Sequence, residues 1–232
     1  MIFVAILCGG AGTRFGPGNL PKQFEEVGSR PLFVRAIETY VNLGEPTRIF
    51  LIFNPEYVRK AEELVAKQGW KESVDIVEGG ATRQASVANA LAAIEATQPS
   101  RDDVVVLHNG VSPNTPTELI SRCLKAIGPS EAVQAYYPAV HTIFEVETET
   151  LGSLMDRERL GYTCDPTVYR LDLLRRVVEA QRSQSHRGER TLDTAKQLGV
   201  TIHLVESDPS NIKVTNPWDL AAVKEAMGDS GG

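Results

Sequence analysis

The stretch Phe3-Val-Ala-Ile-Leu-Cys8-Gly-Gly-Ala-Gly-Thr-Arg14-Phe-Gly-Pro-Gly-Asn-Leu-Pro-Lys22-Gln-Phe24 decides how the rest of the chain is read. An apolar strand runs into a glycine-rich turn, and a loop carrying one arginine and one lysine follows. Glycines let the backbone bend tightly and aim its N–H groups at an anion such as a phosphate. Arg14 and Lys22 sit on a connection loose enough to close over the same anion. Neither common phosphate loop fits. A P-loop requires Ser or Thr after its lysine, and Gln23 follows Lys22. The dinucleotide fingerprint that starts at Gly10 and Gly12 needs a third glycine where Phe15 stands. A tight turn at a strand end is the plain alternative, and the paired cations with the following Pro-Lys-Gln favour nucleotide phosphates over it.

Outward from this stretch, strand-like and helix-like segments alternate with short connections, the pattern of a mostly parallel sheet covered on both faces. The 232 residues suit one α/β domain over 1–232. Strands are expected at 3–7, 48–53, 74–77, 104–107, 132–138 and 201–205. Helices are expected at 32–43, 55–67, 83–96, 116–126, 168–181, 191–198 and 217–227. The rhythm changes around His141–Thr150, where polar and apolar residues alternate as in an exposed hairpin. We read 139–160 as a β-arm suited to packing on a second copy of the chain, a homodimer. Residues 183–190 read as a polar loop and 228–232 as a flexible tail.

A net charge of −6 with mixed signs argues against nucleic acid as a partner. No apolar run approaches a membrane span, and no signal peptide is seen. Cys8, Cys123 and Cys164 are an odd, widely spaced set that reads as reduced thiols in a cytoplasmic protein. Four stretches follow strand ends, namely 9–22, 79–86, 108–113 and 207–213, and in open parallel sheets ligands bind at that rim.

With those stretches assembled, the chain resembles the cytidylyltransferases that make CDP-linked polyols from 2-C-methyl-D-erythritol 4-phosphate, in isoprenoid biosynthesis, or from ribitol 5-phosphate. The resemblance rests on Gly9-Gly-Ala-Gly-Thr-Arg14 with Pro21-Lys-Gln-Phe24, on Gly79-Gly80 with Arg83 and Ser86-Val87, and on Asn211-Ile-Lys213-Val-Thr215 with Pro217 and Asp219-Leu220. It implies a Rossmann-like nucleotidyltransferase fold with a protruding β-arm. It implies that Cys8, Gly9, Gly10, Ala11, Gly12, Gly79, Gly80, Arg83, Ser86, His108 and Asn109 surround CTP. Arg14, Lys22 and Lys213 would be catalytic, stabilising charge on the triphosphate and the transferring phosphate. Thr142 and Arg157 would hold the acceptor's phosphate, and Mg²⁺ would assist, with Asn109 as a ligand. The chemistry implied is attack by an acceptor phosphate oxygen on the α-phosphorus of CTP, releasing pyrophosphate.

The chain departs from that pattern. Where the family has His-Asp-x-x-Arg-Pro, this sequence has His108-Asn109-Gly-Val-Ser112-Pro113. Ser210 replaces a second Asp, and the acceptor-side Trp and Thr-Pro-Gln segment is altered to Gly161-Tyr-Thr-Cys-Asp165-Pro166-Thr167. Plain readings stand beside several assignments. His108 also fits a hydrogen-bonded strand-end residue, Asn109 a turn residue before Gly110, and Arg157 with Arg159 a solvated charged face. Cys8 lines the loop or the core, and without a paired base it is no nucleophile. A non-catalytic nucleotide-binding descendant and a sugar-phosphate nucleotidyltransferase using another base are the two rival functions.

Overall fold

The structure, a computed structural model, describes residues 1–9, 20–128, 130–183 and 190–228. The first half of the described chain alternates strand and helix: β1 (Ile2–Cys8), a small ladder of β2 (Glu26–Val27) with β3 (Arg30–Pro31), α1 (Leu32–Val41), β4 (Thr47–Phe53), α2 (Val58–Lys67), β5 (Val74–Glu78), α3 (Arg83–Glu95) and β6 (Val104–Asn109). There follow α4 (Thr117–Ala126), β7 (Ala132–Pro138), the hairpin of β8 (Phe144–Glu147) and β9 (Thr150–Leu154), β10 (Gly161–Arg170), α5 (Leu171–Arg182), α6 (Thr191–Gln197), β11 (Ile202–Glu206) and α7 (Pro217–Ala226).

Seven strands form one sheet in the order β11-β7-β10-β6-β1-β4-β5. Strand β1 pairs in parallel with both β4 and β6, while β10 runs antiparallel between β6 and β7. The sheet is therefore mostly parallel and flanked by helices, as expected. Strand β1 shows why. Val4, Ile6 and Cys8 point into one apolar cluster with Phe33, Ile37 and Tyr40 of α1 and Leu119 and Ile120 of α4. Phe3, Ala5 and Leu7 point into the other with Leu91 and Ile94 of α3 and Leu174 and Val177 of α5. A strand apolar at every position has two faces to bury, so both must be covered.

One expectation is corrected. The helix expected at 168–181 starts at Leu171, and Val168–Arg170 close strand β10. Val168, Leu171, Leu174 and Val178 are all buried, and their three-to-four spacing imitates one helix face across the strand–helix junction. Pro166, which has no N–H to give a ladder, sits where the pairing with β7 shifts register.

Candidate active site

The switch in strand order falls at β1, whose neighbours β4 and β6 lie on opposite sides and lead to opposite wings of the sheet. At that end the backbone of β6 turns over β1, with the Gly110 N–H donating to Leu7 O at 3.0 Å. A Cβ at Gly110 would overlap Cys8 Sγ. Close approach, rather than an unusual backbone angle, is what demands glycine there.

Two distant segments are stitched together beside this turn. The Lys22 ammonium donates to Val214 O at 2.9 Å across 192 residues, which brings it to the residue next to Lys213. Gln23 Nε2 donates to Cys8 O at 2.7 Å, and the Val214 N–H to Val111 O at 2.8 Å. The Gly79–Gly80 turn is pinned by Ser86, whose Oγ accepts from the Gly80 N–H at 3.1 Å and donates to Thr82 O at 3.0 Å. Ser86 is buried, and a Cβ at Gly9 would lie 3.6 Å from its Oγ. Cys8, Gly9, Gly79, Gly80 and Ser86 thus share one corner of the rim, and Arg83, Asn109 and Lys213 line the cleft beside it.

That cleft has a volume of about 1020 Å³, ample for a nucleotide. Its cationic lining is Arg83, Arg190 and Lys213, and its carboxylates are Asp165 and Asp219. Both carboxylates are engaged. Asp219 Oδ2 accepts from the N–H groups of Thr215 (2.7 Å) and Asn216 (2.9 Å), closing the capping box that starts α7. Asp165 is only 6 % exposed. It accepts from Asn109 Nδ2 at 2.8 and 2.9 Å, from Ser112 Oγ at 2.5 Å and from the Asn109 N–H at 3.3 Å. Asp165, Arg190 and Thr191 were not among the residues singled out from the sequence. The only hint of the first was its place in the altered 161–167 segment.

Several assignments change. His108 is fully buried, Nδ1 bonded to Tyr40 OH (2.8 Å) and Nε2 to Ser112 O (2.9 Å), so both ring nitrogens are used in bracing the turn. Asn109 turns its NH₂ to Asp165, while its Oδ1 accepts from Arg83 Nη1 at 3.3 Å. The amide is not free to flip, because that would set oxygen against carboxylate. A divalent cation at this oxygen would face a guanidinium, so the residues at Asn109 do not fit a metal site. Among the described residues, no group of three or more His, Cys, Asp or Glu is arranged to hold one. Thr142 and Arg157 stand outside the cleft; Arg157 is exposed and donates to Val140 O at 3.3 Å. Gly10, Ala11, Gly12 and Arg14 lie outside the described residues.

Cys164 is the one thiol among the described side chains that line the cleft. Burial pushes the Cys164 thiol up to about 11, and the nearby charge of Asp165 adds to it. Burial alone raises Cys8 further. No helix among the described residues is long and apolar enough to cross a membrane.

Comparison with known proteins identifies relatives over nearly the whole chain. The family model for 2-C-methyl-D-erythritol 4-phosphate cytidylyltransferase fits residues 2–229. The enzyme of that name from Acidobacterium capsulatum is 29% identical over 227 residues, covering 94% of each chain. Ribitol-5-phosphate cytidylyltransferase of Streptococcus pneumoniae (strain Hungary19A-6) is 32% identical over 235 residues, 98% of this chain and 99% of its own. Among solved structures, 4-diphosphocytidyl-2C-methyl-D-erythritol synthase from Anaerococcus prevotii DSM 20548 superimposes with a TM-score of 0.82 at 19% identity, over 98% of both chains. The Thermus thermophilus 2-C-methyl-D-erythritol 4-phosphate cytidylyltransferase does so with 0.75 at 25% identity, over 97% of both.

Proposed function

The chain belongs to the 2-C-methyl-D-erythritol 4-phosphate cytidylyltransferase family, and from that premise we propose that it joins CMP from CTP to a small phosphorylated polyol with release of pyrophosphate. The observation that carries this is the Lys22–Val214 hydrogen bond. It closes the end of the glycine loop onto the Lys213 segment, beside a cleft whose lining includes Arg83, Arg190 and Lys213.

The acceptor's phosphate is already an anion, so it needs no base to become a nucleophile. The described side chains suit that attack, since Asp165 and Asp219 are taken up by hydrogen bonds, His108 is sealed in the turn and burial raises the pKa of the Cys164 thiol. What the reaction demands is alignment of the attacking oxygen with the α-phosphorus and compensation of charge as pyrophosphate leaves. We assign the second to Lys22 and Lys213, and to Arg14, which lies outside the described residues. The corner formed by Gly79, Gly80 and Ser86 offers backbone groups to the cytosine and ribose. The arm of β8 and β9, with Thr142 and Arg157 at its base, would pack on a second copy.

The test is pyrophosphate release from CTP across a panel of phosphorylated polyols, with ribitol 5-phosphate and 2-C-methyl-D-erythritol 4-phosphate included. Release with at least one acceptor, and with CTP over other triphosphates, is expected. Stabilisation by CTP without release from any acceptor would instead favour a nucleotide-binding protein that has lost catalysis.

A further inference from the structure

We propose that Asp165 is a positioning residue for nucleotide binding: acting through Asn109, its buried carboxylate fixes the guanidinium of Arg83 at the cleft. The inference rests on the reading of this cleft as the triphosphate site. It follows from how the carboxylate is satisfied. Burying a charge is costly unless donors replace the lost water. Asp165 meets that cost with four hydrogen bonds, all from neutral donors on or just after β6. Its backbone carbonyl also accepts from Asn211 Nδ2 at 2.6 Å, so the Lys213 segment is tied to the same residue.

A staple between β10 and the end of β6 would need no charge, because an amide at 165 could bridge Asn109 and Ser112 without desolvating one. The charge has a directional effect instead. It orients the Asn109 amide with both Nδ2 contacts toward Asp165, which leaves Oδ1 aimed at Arg83 Nη1, 3.3 Å away. A carboxylate drawing on one end of an amide makes its other end a better acceptor. The series carboxylate, amide, guanidinium thereby runs from the interior to an exposed cation. Arg83 is the first residue of α3, at the N-terminal end that follows the Gly79–Gly80 turn. Without Asp165 the amide is free to turn its NH₂ toward Arg83, and the guanidinium loses its anchor.

The experiment is CTP titration by calorimetry on the full chain, for wild type, Asp165→Asn, Arg83→Gln and the double variant, with melting temperatures beside them. Asp165→Asn is expected to weaken CTP binding about tenfold, the scale of one hydrogen bond to a charged group. Arg83→Gln should weaken it similarly, and the double variant should be little worse than Arg83→Gln alone. Additive losses would overturn the proposal, as would wild-type affinity in Asp165→Asn. If Asp165→Asn is too unstable to titrate, the exchange Asn109→Asp with Asp165→Asn keeps one carboxylate and one amide across the same gap. It should bind CTP within about threefold of wild type, and a folded exchange variant that binds tenfold more weakly sinks the idea. Wild type that binds no CTP removes the nucleotide reading together with this one. Wild type that binds while Asp165→Asn matches it removes the positioning role alone.

Discussion

At the scale of single residues, Asp165 and Asn109 act as one unit at the end of β6, the carboxylate accepting twice from the amide. Lys22 donates its ammonium to the Val214 carbonyl, beside Lys213. Lys22→Met keeps the aliphatic stem and should lower turnover by on the order of 10²–10³-fold, the usual cost of one charge-stabilising donor. Steady-state pyrophosphate release measures it, with circular dichroism to check the fold. The thiols give a prediction about stability. An unfolded cysteine ionises near its ordinary value of 9.0, whereas folded Cys164 holds its proton to about 11 and Cys123 to about 12, chiefly through burial. Between those limits the native state keeps protons that the unfolded chain releases, so stability is complete below about pH 9 and falls as pH rises toward 11. Urea midpoints should decline over that window, and Cys164→Ala should flatten the slope.

At the scale of elements, the turn after β6 and the exposed hairpin carry the clearest expectations. Gly110→Ala would push a methyl group into Cys8 Sγ, where β1 and β6 are packed against each other. Overpacking of that kind costs about 1–3 kcal/mol, and a lower urea midpoint with an unchanged m-value would report it. The hairpin presents Val146 at 72 % and Leu154 at 67 % exposure, with Phe144 and Leu151 also uncovered. A single chain gains nothing from leaving such a patch in water. Val146→Asp with Leu154→Asp should convert a dimer to a monomer in sedimentation while leaving the far-ultraviolet spectrum intact. The central parallel strands β1, β4 and β6 were legible because they are apolar on both faces and end at glycine or turn residues. Strand β10 was not. Its only long apolar signal, from Val168 onward, merges with the buried face of α5. Losing β10 also hid Asp165, since only the antiparallel strand brings that residue to the rim where β6 ends. His108 was open between two readings for a related reason: a histidine at the end of an apolar strand suits a ligand contact or a hydrogen-bonded brace equally until Tyr40, 68 residues earlier, is seen to bond its ring nitrogen.

At the scale of the whole molecule, the cleft depends on segments from nearly the full length of the chain. Lys22 comes from just beyond β1, Arg83 from α3, Asp165 from β10 and Lys213 from the stretch between β11 and α7. The last is held by Asn211 to β10, by Val214 to Lys22 and the Val111 carbonyl, and by the capping box to α7. A ligand that bridges these segments binds only when all are in place, so its binding energy should appear as global stability. At a CTP concentration of 100 times Kd the gain is about 2.7 kcal/mol. For a domain of this size that corresponds to a rise in Tm of several degrees. On the proposed reading, in which the corner formed by Gly79, Gly80 and Ser86 selects the base, UTP, GTP and ATP should give less. Asn211→Ala tests the linkage itself: it removes the ties to Asp165 O and Thr115 Oγ1 without touching any cation. Its own Tm should fall, and the increment produced by CTP should shrink with it. An undiminished increment would mean that Lys213 is held in the cleft without its neighbours, and that the two ends of the chain are not joined through the nucleotide.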